Sequence, residues 1–162
     1  MQTVFAAGRC AYSGMMMRHP ALLAPLLLLA ACHGRSSEPA VDRAWVRLPA
    51  VAGQPAAAYF TLHGGSRDAR LVRIESAVAG KTEMHQSMTG ARAMSTMAPI
   101  THVDIPARGT VAFAPGGTHA MLFGLEAAIT PGTAIPLRFG FADGTTTEAE
   151  AKTVKAGEDA PY

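Results

Sequence analysis

From residue 41 onward, glycine or proline interrupts the chain about every eight to twelve residues, and the runs between are β-branched, aromatic or alternating. That rhythm leaves no room for long helices and suits an antiparallel sandwich or barrel. Strands are expected over 44–48, 57–62, 71–75, 82–88, 103–105, 110–113, 119–123, 135–141 and 145–154. Leu137, Phe139 and Phe141 alternate with Arg138 and Gly140, so one face meets a core and the other meets water. Asp143-Gly144 then marks a hairpin, and Pro115-Gly116-Gly117 marks a turn. Residues 124–128 supply at most one helical turn. The fold class is all-β.

The N-terminal segment belongs to targeting rather than to this fold. Arg18 and His19 precede an apolar run over 21–31 that is too short to span a bilayer and ends in small residues, the pattern of a secretory signal. Residues 1–14 carry no signal-like pattern, and Met15, Met16 and Met17 are alternative starts. Leu29-Ala30-Ala31-Cys32 resembles a bacterial lipobox, in which Cys32 is diacylated through its sulfur and becomes the first mature residue. The expected organisation is a removed prefix over 1–31, a tether over 32–40, one domain over 41–157 and a short tail over 158–162.

The chain has 14 basic and 12 acidic side chains, but Arg9 and Arg18 leave with the prefix, so the mature protein carries twelve of each. A formal charge near zero makes no electrostatic case for nucleic acid or an anionic membrane surface. Membrane contact is therefore expected only through the lipid anchor. Cys10 is also discarded, and Cys32 remains without a disulfide partner.

Five of the nine methionines survive, and all fall between Met84 and Met121. Met88, Met94 and Met97 follow His85, and His119-Ala120-Met121 closes the group. A single methionine in an apolar strand is most often core filler, and a single histidine is usually a surface or hydrogen-bonding residue. Independent core filling would scatter the methionines along the domain. Thioether sulfur is soft and imidazole borderline, so together they suit Cu(I) better than zinc, calcium or magnesium. A thiol-free site also fits an oxidising compartment, because thioethers do not form disulfides.

Strand geometry sharpens the reading. Residues two apart face the same side, so His119 and Met121 can reach one ion while small Ala120 points away. The turn at Pro115 to Gly117 places His119 at the start of its strand, near an open end where an ion enters. His85 and Met97 flank a glycine-containing connection and converge there if it folds back as a loop or hairpin. His63 and His102 lack a methionine pattern and are expected at the surface.

Glu83-Met84-His85 through Met97, the run Ile105-Pro106-Ala107-Arg108-Gly109, and Ala114 through Leu125 resemble the periplasmic copper chaperone family written PCu(A)C. Ala44-Trp45-Val46-Arg47 and Ala56 through Phe60 are similar to that family's opening strands. The family's motif is a His, ten residues, a Met, twenty-one residues, then His-x-Met. Met97 and His119 keep the second gap and His119 and Met121 the triplet, but eleven residues separate His85 from Met97, one more than the pattern. An insertion in a connection is tolerated better than one in a strand. Met94 and Met88 stand as lesser alternatives for the third ligand.

The resemblance implies a cupredoxin-like Greek-key β-sandwich that holds Cu(I) through His85, Met97, His119 and Met121 at its surface. It further implies a periplasmic, non-enzymatic chaperone delivering copper to the dinuclear centre in the copper-bearing subunit of cytochrome c oxidase, alongside a thioredoxin-like assembly factor. Some members add a His/Met-rich C-terminal tail. Residues 155–162 contain none, so one copper site is expected. A blue-copper carrier needs a Cys thiolate beside two His, and the domain has no cysteine. A hydrolytic zinc site wants carboxylate ligands or the HExxH spacing, and no nucleophile elbow surrounds any Ser. The competing function is a non-catalytic β-sandwich lipoprotein that buffers copper or binds protein partners.

Overall fold

A computed structural model of the chain describes residues 37–89 and 95–162; the prefix, Cys32 and Met94 lie outside them. Ten strands form: β1 (Ala40–Arg47), β2 (Ala56–His63), β3 (Ala69–Glu75), β4 (Ala79–Thr89), β5 (Ser95–Ile100), β6 (Val103–Ile105), β7 (Thr110–Phe113), β8 (Thr118–Leu125), β9 (Ala134–Phe141) and β10 (Thr146–Val154). Among the described residues there is no helix. All nine expected strands are present, β6 and β7 with the expected ends and the other seven with shifted ones. The additional one, β5, occupies a stretch expected as connection, because pairing along β4 overrides the weak strand preference of Ala98 and Pro99.

The strands join in the order β5-β4-β8-β2-β1-β10-β9-β3-β6, with β7 also paired to β2. Every pairing is antiparallel except β1 with β10. One edge of β2 holds β8 along Ala56 to Ala58 and β7 along Phe60 to His63, so the ladder bends there into two layers. β1 bends as well: its register against β2 shifts between Asp42 and Trp45, and Arg43 takes a left-handed φ of 50°. A bulge of this kind kinks a strand and strengthens its twist.

Alternation supplies the core. In β9, Ile135, Leu137 and Phe139 are buried while Ala134, Pro136 and Arg138 face out. Phe60 stacks on Phe113 at 4.2 Å and meets Phe139 edge-on at 4.8 Å, tying the layers together. Each such side chain contributes about 1.5–3 kcal/mol of burial. The β9–β10 hairpin turns where expected: Gly144 adopts a φ of 88°, and Asp143 Oδ1 accepts from Thr145 N at 2.9 Å and Thr145 Oγ1 at 2.7 Å. Gly64 is required for a different reason, since a Cβ there would collide with the Pro106 carbonyl oxygen.

The short tail packs against the domain. Arg47 Nη2 donates to the Glu158 carbonyl at 2.9 Å, and Tyr162 OH donates to the Ala44 carbonyl at 3.0 Å. At one end of the ladder, β5 is an edge strand and carries Pro99, a residue that edges accept because its missing N–H is not needed there.

Candidate metal centre

The site is built on three adjacent strands. Met84, Ala120 and Leu122 face the core, so alternation turns Glu83 and His85 on β4, and His119 and Met121 on β8, to the outer face. The register pairs His85 with His119 and Glu83 with Met121. On the other edge of β4, Ser87 pairs with Met97, which places Met97 on that same face. His85, His119, Met121 and Met97 therefore share one surface of the β5-β4-β8 ladder. Met88 does not: three positions from His85, it has the opposite parity and belongs to the face of Met84. Met94 lies outside the described residues. His63 faces solvent beside Asp42, its Nε2 3.1 Å from Oδ2, and His102 is exposed, as expected.

The two imidazoles are held in a matched way. Their ring centroids are 6.0 Å apart at an interplanar angle of 30°. His119 Nδ1 donates to the Gly117 carbonyl at 3.0 Å, a bond created by the turn that opens β8. There Ala114 N bonds Thr118 O, Gly117 N bonds Ala114 O, and Gly116 adopts a φ of 78°. His85 Nε2 donates to Glu83 Oε2 at 3.1 Å. Each ring thus spends one nitrogen on a protein acceptor and keeps the other as a lone-pair donor. His85 Nδ1 is buried with no hydrogen-bond partner, a condition that demands an explanation in a folded protein.

A metal ion provides one. With metal–nitrogen bonds of about 2.0 Å, two imidazoles sharing an ion have centroids roughly 5–6.5 Å apart, and the observed spacing falls inside that range. Among the described residues no three side chains drawn from His, Cys, Asp and Glu come together to hold a metal. Further ligands for an ion at His85 and His119 would then be thioethers, so the donor set fits soft Cu(I) rather than Zn(II). Burial is uneven across the set. His119 is 5% exposed and His85 is almost as enclosed, whereas Met97 is 57% exposed.

Two neighbouring features carried no signal in the ligand motif. Glu83 lies two positions before His85, a spacing that puts it on the same strand face, and Lys81 Nζ meets its other oxygen at 2.5 Å. These bonds hold the Glu83 carboxyl below the usual carboxylate range, Lys81 contributing most. On the far side of His119 lies an aromatic platform. Tyr59 is 6.4 Å from the His119 ring and 4.5 Å from Trp45, and the Arg47 guanidinium sits 5.0 Å over Trp45. Burial pushes the Tyr59 phenol above its ordinary value, against the opposing pull of Arg47.

Such a sandwich, with a His/Met face on one layer, has the fold of PCuAC domains. It superposes on the copper-bound PCuAC domain from PmoF2 with a TM-score of 0.61 and 21% identity, covering 74% of this chain and 95% of that one. The CuI-DR1885 structure from Deinococcus radiodurans gives a TM-score of 0.56 and 25% identity, covering 80% of this chain and 85% of that one. The chain belongs to the LpqE-like family, whose model, described as "Putative lipoprotein LpqE-like", matches residues 40–153. A relative from Leifsonia xyli subsp. xyli (strain CTCB07), "Putative lipoprotein Lxx21020", is 35% identical over 107 residues. That match covers 66% of this chain and 64% of the relative's length.

Proposed function

We propose that this protein is a lipid-anchored periplasmic Cu(I) chaperone that binds one ion through His85, His119, Met121 and Met97 and passes it to a respiratory acceptor. The observation that carries the reading is the cross-strand pair His85 and His119, each with one ring nitrogen hydrogen-bonded and the other free, on the face that also bears Met121 and Met97. Membership of a lipoprotein family supports anchoring at Cys32. The copper named in the PmoF2 and DR1885 structures supports the choice of ion.

The acceptor in this reading is the copper-bearing subunit of cytochrome c oxidase, with a thioredoxin-like factor keeping its cysteines reduced. Thiolates are stronger soft ligands than thioethers, so Cu(I) moves downhill to a reduced acceptor. The ion leaves unchanged in oxidation state, and the sandwich need not unfold.

The test has two stages. Titration of the domain from Ser36 onward with Cu(I), anaerobically and against a chromophoric chelator, is expected to give one ion per chain with little competition from Zn(II). Trp45, the only tryptophan, reports the event through its contact with Tyr59 beside His119. Affinity should fall as the solution is acidified, because imidazole ligates only when neutral while thioethers do not titrate. Mixing loaded protein with reduced apo acceptor should then move copper to the acceptor, with His119→Ala as the control that carries none. Zero stoichiometry or zinc preference removes the copper reading. Copper retained in the presence of a competent acceptor makes the protein a buffer instead.

A further inference from the structure

Lys81, Glu83 and His85 occupy alternate positions on β4 and so form a row along its outer face. The row is connected: Lys81 Nζ meets Glu83 Oε1, and Glu83 Oε2 accepts from His85 Nε2. An exposed Lys–Glu pair by itself contributes little, between about 0 and 1 kcal/mol. The connection to His85 has a different consequence, because the ring's remaining nitrogen is the buried and unpartnered Nδ1.

We infer that Glu83 is a positioning residue: by holding the proton of His85 on Nε2, it presents Nδ1 as the copper-binding atom and fixes the plane of the ring. The inference rests on the Cu(I) site proposed above. Glu83 is not itself a ligand in this arrangement, since a carboxylate bonded to Nε2 lies on the opposite side of the imidazole from an ion on Nδ1. His119 is set in the mirrored sense by the Gly117 carbonyl, which holds the proton on Nδ1 and leaves Nε2 free. The two rings present different nitrogens because one takes its acceptor from a strand neighbour and the other from a turn. Of the two acceptors, only Glu83 is a side chain, so only its contribution can be removed by substitution. Partners of this kind are generally worth 10- to 100-fold in metal affinity.

The experiment uses protein labelled with 15N at histidine and has two readouts. In the copper-free protein, two-bond nitrogen–proton correlations report which nitrogen of each ring carries the proton; His85 is expected as the Nε2–H form and His119 as the Nδ1–H form. In Glu83→Leu, His85 should become a mixture of tautomers, His119 should stay as it was, and Cu(I) affinity should drop about 10- to 100-fold. Glu83→Gln keeps an acceptor oxygen and should fall part-way on both readouts, which preserves the test if the leucine variant does not fold. Glu148→Gln, remote on β10, should change neither. Finding His85 protonated at Nδ1 in the unsubstituted protein overturns the inference. A fall in affinity with no tautomer change, or the reverse, overturns it too. If the unsubstituted protein takes up no Cu(I), the copper reading fails by that result alone, and the inference falls with it even where the tautomer readout agrees.

Discussion

The imidazole half of the site and its outer thioether differ in how the fold holds them. His85 and His119 face each other across the β4–β8 ladder, inside the sheet, nearly enclosed, each with a ring nitrogen already bonded to the protein. Met97 sits on the edge strand β5 with most of its side chain in solvent. A carrier needs both conditions: a rigid pair that defines where the ion sits, and a ligand that detaches so that an incoming thiolate can take its place. In the proposed Cu(I) site, the contrast assigns equilibrium affinity mainly to the inner strands and exchange rate mainly to the edge.

The strongest test of that division is His119→Ala. Because the side chain lies on the outer face, the domain should still fold, yet Cu(I) affinity should drop by more than about 100-fold, beyond the effect of an orienting partner. A loss under tenfold in a chelator competition would break the comparison. Ala120→Leu attacks the same strand from beneath. Ala120 is fully buried between outward-facing His119 and Met121, and overpacking there should cost about 1–3 kcal/mol in denaturant unfolding while weakening copper binding as β8 shifts.

Met97→Leu should be milder, about tenfold in affinity, equal to 1.4 kcal/mol, and expressed as faster copper release in stopped-flow measurements. Leucine keeps the volume and deletes the sulfur. Met88→Leu should have no effect and Met94→Leu less than Met97→Leu. Equal losses at Met97 and Met94 would mean that the two thioethers exchange with one another as ligands.

The smallest effects concern pH and the apo domain. Asp104 and Asp143 are held below the usual carboxylate range, by Arg70 and by Thr145 respectively, as Glu83 is by Lys81 and His85. A carboxylate whose folded value is depressed contributes stability above its unfolded value and loses it as pH falls through the folded one. Melting temperature should therefore decline below the ordinary carboxylate range, and Asp143→Asn should shallow that decline. Tyr59 has the opposite sign. Its raised value contributes stability at neutral pH that is lost as pH climbs past the ordinary tyrosine value, so Tyr59→Phe should flatten the alkaline limb.

Much of this was legible in the residue order. The alternation of Leu137 and Phe139 with Arg138, the Asp143-Gly144 turn and the His119-Ala120-Met121 triplet each express a local rule that the fold keeps. The opposite face of Met88 was equally available, since parity along a strand decides it. β5 was not, because Ser95 to Ile100 contains Ala98 and Pro99 and becomes a strand only through β4 beside it. Nor was the bulge at Arg43, where a residue without special backbone freedom takes a left-handed φ to let β1 turn between layers. The role of Glu83 lay between these cases: its spacing from His85 was visible, but the bond between them depends on rotamers.

The parallel pairing of β1 with β10 joins Trp45 to Lys152, the opening of the domain to its close. No hairpin can bring those strands together, so the sandwich cannot seal until nearly the whole chain is available. Sheets dominated by such distant pairings fold on the order of milliseconds to seconds. His85 and His119, thirty-four positions apart, meet only through a distant pairing of the same kind. The centre therefore has no unfolded precursor: a chain that has not yet closed its sheet offers an ion nothing but separate, weak donors, and capture begins only after closure.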